Sequence, residues 1–175
     1  SSGCEIITTD GTTEGAAVTV LLAKDHINND DELIIANSDQ WIDWNPQHFL
    51  SFMRGKDVDG GIVTFIATHP RWSFVKLNDE GLVTEVAEKK PISNIATVGI
   101  YYFKKGKYFV EAAEEMIKKN IRTNNEFYVA PVYNEMISLG KKIMIYPAAE
   151  MRGLGTPEDL KKFLETNKKI IATEN

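Results

Sequence analysis

Cysteine is almost absent from this 175-residue chain. The lone Cys4 cannot form an internal disulfide, so a disulfide-stapled secreted scaffold is excluded and a cytoplasmic setting is expected. Long apolar runs are missing as well. No stretch nears the roughly 18 residues of a bilayer span and no signal peptide is visible, so no membrane partner is expected. Positive charge is in short supply: 20 Lys and Arg stand against 25 Asp and Glu, a net charge of -5. Without clustered cations the chain is a poor match for a phosphate backbone, and nucleic acid is not expected as a partner. A small anionic substrate, which needs only a local positive site, stays open. The histidines His26, His48 and His69 lack the mutual spacing of a metal site. No Gly-x-Ser-x-Gly, His-Glu-x-x-His or paired-cysteine pattern occurs, so hydrolase and zinc chemistry fall away.

What is present is an ordinary globular composition, 43% hydrophobic and 26% charged, without repeats or low-complexity linkers. Residues 1–175 are therefore expected to form a single domain. Helix and strand patterns alternate, which predicts an α/β sandwich. Residues 15–27 have helical spacing and are apolar nearly all round, predicting a buried helix. The continuous run Leu33, Ile34, Ile35, Ala36 predicts a central strand covered on both faces. Asn45 and Pro46 read as an N-cap and first helical position, for a helix stopping near Gly55. Strands are expected at 61–67, 95–103 and 142–146. Segments 74–77 and 82–86, joined by Asn78, Asp79, Glu80 and Gly81, predict a hairpin. Helices are expected at 108–119 and 126–139, the second closed by Gly140. Thr156, Pro157, Glu158 and Asp159 open a terminal helix, followed by a Lys-rich tail read as a solvated surface.

Three segments could carry chemistry. Asn37, Ser38 and Asp39 follow a strand end, where open α/β sheets bind ligands, so the Asp39 carboxylate either caps the turn or holds Mg²⁺. Glu88 and Lys89 follow the hairpin: a surface loop, or a phosphate-neutralising amine beside a carboxylate for sugar hydroxyls. Thr123 to Tyr128 is a polar cluster before a helix, either capping it or facing a ligand. Trp41, Trp44 and Trp72 read as packing residues or a pocket wall.

Taken in order, Thr13-Glu14-Gly15-Ala16-Ala17, Ala36-Asn37-Ser38-Asp39-Gln40, Glu88-Lys89-Lys90-Pro91, Val98-Gly99-Ile100-Tyr101, Asn125-Glu126-Phe127-Tyr128 and Gly153-Leu154-Gly155-Thr156-Pro157-Glu158-Asp159 resemble the sugar-phosphate nucleotidyltransferase family. The branch they resemble most is the one associated with capsule and surface polysaccharide, and the resemblance runs from Gly11 to Phe163.

The resemblance implies a Rossmann-like α/β/α sandwich with a mixed, mainly parallel sheet. It also implies a Mg²⁺-dependent reaction of an NTP with a sugar phosphate that yields an NDP-sugar and pyrophosphate. By analogy Asp39 is the Mg²⁺ ligand and, with Lys89, a catalytic residue. Gly15 lets the backbone approach the nucleotide, Ser38 is a substrate-binding residue, Glu88 and Lys89 hold the sugar phosphate, Gly99 lines the sugar pocket and Glu126 binds sugar hydroxyls. Residues 1–14 match nothing in the Gly-rich, Arg-bearing loop and Pro-Lys pair that begin the family, which implies an N-terminally truncated domain. Many relatives carry a second metal-binding Asp where Gly153 stands here, leaving Glu150 or Asp43 as substitutes. A catalytically inactive regulatory or nucleotide-sugar-binding domain of the same fold and a glycosyltransferase of related architecture are the alternatives. The base, the sugar and homo-oligomer formation are left open.

Overall fold

A computed structural model describes residues 3–173. Its main sheet has six strands: β1 (Leu33–Ala36), β3 (Gly60–Ile66), β4 (Ser73–Leu77), β5 (Val83–Glu88), β6 (Ile95–Phe103) and β7 (Ile143–Pro147). The order is β5-β4-β6-β3-β7, with β1 also paired to β6. Strands β1, β3 and β4 run antiparallel to β6, β7 runs parallel to β3, and β5 opposes β4. The sheet is thus mixed, with β1, β3, β4 and β7 sharing one direction.

Alternation along β6 explains the two cores. Val98, Ile100 and Tyr102 join Phe49 and Met53 of α3 (Pro46–Lys56) on one face. Tyr101 and Phe103 join α4 (Gly106–Lys118) and α5 (Val132–Ser138) on the other, because successive side chains of a strand point to opposite faces. The result is the expected α/β/α sandwich. Within α4, Phe109, Val110, Ala113 and Met116 are buried at helical spacing, a stripe that needs a sheet to cover it. Tyr133 of α5 is fully buried, and its one hydroxyl proton is shared between the carbonyls of Gly61 (3.0 Å) and Tyr102 (2.9 Å), tying helix to sheet.

Local signals account for the ends. The Asn45 side chain accepts from His48 N at 2.9 Å and Pro46 begins α3, which runs to Lys56 before Asp57 turns left-handed. Asn78 Oδ1 accepts from the backbone of Glu80 and Leu82, closing the β4–β5 turn. Thr156 Oγ1 accepts from Asp159 N, capping α6 (Pro157–Thr173). The backbone of the Lys-rich tail continues α6, and its side chains from 167 onward lie outside the described residues.

Several expectations need correction. The helix at 15–27 is two short ones, α1 (Ala16–Leu21) and α2 (Lys24–Ile27), joined where Leu22 N and Ala23 N reach back only three residues. Among them only Ala17 is buried, since this pair lies on α4 by one side alone. Strand β1 is not covered on both faces: Ile35 is buried, while Ile34 is 41% exposed and Ala36 is exposed too. The helix expected at 126–139 begins only at Val132. Asn124 and Asn125 have positive φ, and Thr123 and Glu126 exchange backbone hydrogen bonds in a tight turn. Phe127 and Tyr128 have no regular structure, and Val129 and Ala130 bend into a turn ahead of Pro131, a residue that disfavours helix before it. A two-stranded ribbon was not expected: β2 (Gln40–Asp43) pairs antiparallel with β8 (Glu150–Gly153).

Candidate functional site

One edge of β6 serves two strands in turn. Residues Ile100–Phe103 pair with β1, and Ala96 pairs with Phe74 of β4. Between them Thr97, Val98 and Gly99 face no strand on that side, and all of them line a cavity of about 370 Å³. Beyond the last residue of β1, Asn37 N donates to Gly99 O at 2.9 Å. The next residues, with the ribbon, form the rim: Leu154 N donates to Asp39 O at 2.7 Å, so Asp39 and Gly155 stand side by side in the cavity wall. A crevice beyond the carboxyl end of a strand, where neighbouring strands part, is where open α/β sheets bind ligands.

The floor is polar and enclosed. Ser73, at the start of β4, faces Glu88, at the end of β5, and its hydroxyl donates to the Glu88 carboxylate. Burial pushes the Glu88 carboxyl above its ordinary value, against the opposing effects of Ser73 and of the Lys89 charge. Beside them Thr97 Oγ1 and Tyr101 Oη lie 3.1 Å apart, and burial pushes the Tyr101 phenol up to about 12. Two cations reach the cavity. Arg71 stacks over Trp72 at 4.3 Å and pairs with Asp159 at 3.1 Å. Lys89 Nζ donates to Tyr128 Oη at 2.6 Å, and that bond is the main reason its amine is held above the ordinary lysine value.

Of the residues singled out from sequence, Asp39, Glu88, Lys89 and Gly99 line this one cavity. Gly99 has φ 81, and a Cβ there would lie 2.5 Å from Asn37 Nδ2, so only glycine lets β1's continuation close on β6. Gly15, Ser38 and Glu126 are not among the lining residues. Gly15, with φ 122, lies against the backbone of Phe127, where a Cβ would meet Phe127 O at 2.5 Å. Ser38 and Glu126 are exposed, although the Glu126 charge is felt by both Lys89 and Tyr128. Neither Glu150 nor Asp43 lines the cavity; they face each other across the ribbon. Asp159 does line it, its Oδ2 3.6 Å from where a Cβ on Gly153 would stand.

Sequence reasoning missed Ser73, Thr97 and the Arg71–Asp159 pair, and had Tyr128 only as the last residue of a polar cluster, with no partner assigned to it. Ser73 could have been found by counting outward from the hairpin turn, but a bulge at Lys76/Leu77 shifts the pairing by one. The pair Arg71–Asp159 joins residues far apart in the chain and left no local signal.

Asp39 has no ion-pair partner among the described residues. Among those residues no cluster of three or more His, Cys, Asp or Glu is placed to hold a metal by itself. A lone free carboxylate suits Mg²⁺ when substrate phosphates supply the other oxygens. No helix among the described residues is long and apolar enough to cross a membrane.

Comparison with known proteins gives this geometry a family. The fold is similar to the nucleoside-diphosphate-sugar pyrophosphorylase of Vibrio cholerae RC9, with a TM-score of 0.74 and 27% identity over 89% of this chain and 66% of that one. It is also similar to a UDP-glucose pyrophosphorylase solved with UDP-glucose, with a TM-score of 0.73 and 14% identity over 91% of this chain and 64% of that one. The chain thus spans just under two thirds of either relative. No curated protein sequence matches it significantly. Residues 4–166, nearly the whole chain, match the model of the nucleotidyl transferase family, and to that family the chain belongs.

Proposed function

We propose that this protein makes an NDP-sugar. A sugar 1-phosphate oxygen attacks the α-phosphorus of an NTP, the bond between that phosphorus and the bridging oxygen breaks, and pyrophosphate leaves. Phosphoryl transfer of this kind asks for alignment and charge neutralisation, not for a protein nucleophile. The observation that carries the reading is a cavity at a parting of strands that brings together the Asp39 carboxylate and the Lys89 amine, neither held in an ion pair among the described residues. Lys89 neutralises the sugar phosphate as a point charge. Glu88, anchored by Ser73, accepts hydrogen bonds from sugar hydroxyls on the floor, where Gly99 leaves room. Glu126 lies close enough to act on Lys89 electrostatically and adds a second acceptor at the sugar side. Gly15 and Ser38 belong to the nucleotide side, with Gly15 acting through the Phe127 segment it packs on.

Asp39 would hold Mg²⁺, which when bound shields the charge of the phosphates. Surface-polysaccharide synthesis is the role that the motif order favours.

The test is pyrophosphate release by the full-length protein across the four NTPs, each with a panel of sugar 1-phosphates and phosphocholine. One productive pair is expected. Asp39→Asn should then lower turnover about 100-fold or more with the fold intact by circular dichroism. Turnover unchanged in that variant would remove Asp39 from its role, and silence across the whole panel would overturn the reading.

A further inference from the structure

We propose that Tyr128 is a positioning residue that holds Lys89 out in the cavity as a free cation, and so sets affinity for the phosphorylated substrate. The inference rests on the reading of Lys89 as the phosphate-holding amine.

The two cavity cations are treated differently. Arg71 meets a carboxylate, Asp159, and its charge is largely cancelled there. Lys89 meets no carboxylate within ion-pair distance among the described residues. The adjacent Glu88 is turned to Ser73, and Glu126 acts on the amine only from further off. Instead the amine donates to the Tyr128 phenol at 2.6 Å and lies 4.7 Å from the centre of its ring. A neutral phenol accepts one N–H without cancelling the charge, which leaves other donors for a ligand oxygen. The same bond favours the ammonium form.

Both partners are fixed from below. Lys89 sits at φ 55, and its N donates to Trp72 O at 3.0 Å, so its backbone is pinned in a left-handed turn at the end of β5. Tyr128 follows the fully enclosed Phe127, whose N donates to Glu14 O at 2.8 Å and whose O accepts from Ala17 N at 2.9 Å. Buried Val129 and Ala130 anchor it on the other side. A lysine stem has many rotamers to lose on binding, and a stem already ordered binds an anion more tightly.

The experiment titrates the full-length protein with glucose 1-phosphate by calorimetry, using wild type, Tyr128→Phe and Lys89→Met, and follows the Lys89 ammonium by ¹⁵N NMR. Tyr128→Phe keeps the ring and removes only the hydroxyl. Affinity is expected to fall about 10-fold in that variant, with the melting temperature unchanged and the Lys89 ammonium turning from ordered to mobile. Lys89→Met should lose at least as much. If Tyr128→Phe stays within twofold of wild type while Lys89→Met loses binding, Tyr128 is a packing residue and the inference falls alone. If Lys89→Met binds as wild type does, or wild type does not bind, the phosphate-holding role of Lys89 falls and takes the inference with it. Wild-type NMR decides independently of folding: a Lys89 ammonium as mobile as that of exposed Lys118 overturns the proposal.

Discussion

At the scale of single residues, Glu88 carries the clearest linkage between site and stability. Its carboxyl is raised by burial, so the folded state binds a proton that the unfolded chain has already released. The stabilisation from that proton is complete below the ordinary glutamate value of 4.5 and fades as pH rises through the higher folded value. Glu88→Gln, which keeps shape and loses the charge, is expected to exceed the wild-type melting temperature at pH 7 to 8. Nearer pH 4 the two should converge. Melting curves at several pH values check this, and a variant that gains nothing at high pH would show that Ser73 fully offsets the burial. Residue-level chemistry was partly legible in the sequence. Asp39 and Glu88–Lys89 stood out because charged groups followed strand ends. Tyr128 stood in a polar cluster, but its meeting with Lys89 was not legible, because left-handed turns such as those at Asn124 and Asn125 cannot be counted from periodicity.

At the scale of elements, helix ends obeyed local rules. Asn45 caps α3, and Asn45→Ala should cost about 1 kcal/mol, read as a lowered denaturant midpoint with an unchanged slope. A loss near zero would mean that Pro46 and the buried Phe49 hold that end unaided. Strands and helices with strong apolar runs were legible for the same reason: β3, β6 and α4 carry patterns no other element fits. The failures were elements shaped by partners instead of propensity. Segment 126–131 has apolar residues enough for a helix, but its backbone pairs with Glu14 and Ala17 instead. Strands β2 and β8 are four residues each and exist only opposite one another.

At the scale of the molecule, the Arg71–Asp159 pair joins α6 to the loop before β4, and it walls the cavity from a neighbouring one of about 390 Å³ that shares Trp72 and Gly153. The pair is partly exposed, so its worth to stability is small, about 0–1 kcal/mol. Asp159→Ala should therefore leave melting nearly unchanged. It should speed hydrogen exchange at residues 67–73 and the first turn of α6, while β6 amides exchange as before. Equal acceleration in β6 would show that the pair supports the whole fold.

The parting of β1 and β4 along β6 has one more implication. The opening there lies between two strand ends, with the side chains of Arg71, Trp72, Lys89 and Tyr128 around it. The backbone thus fixes where the opening lies, while substitutions among those side chains change both its chemistry and its size. A sliding of β1 by two positions toward β4 would lay it against Val98 and Gly99 and narrow the gap between the strand ends.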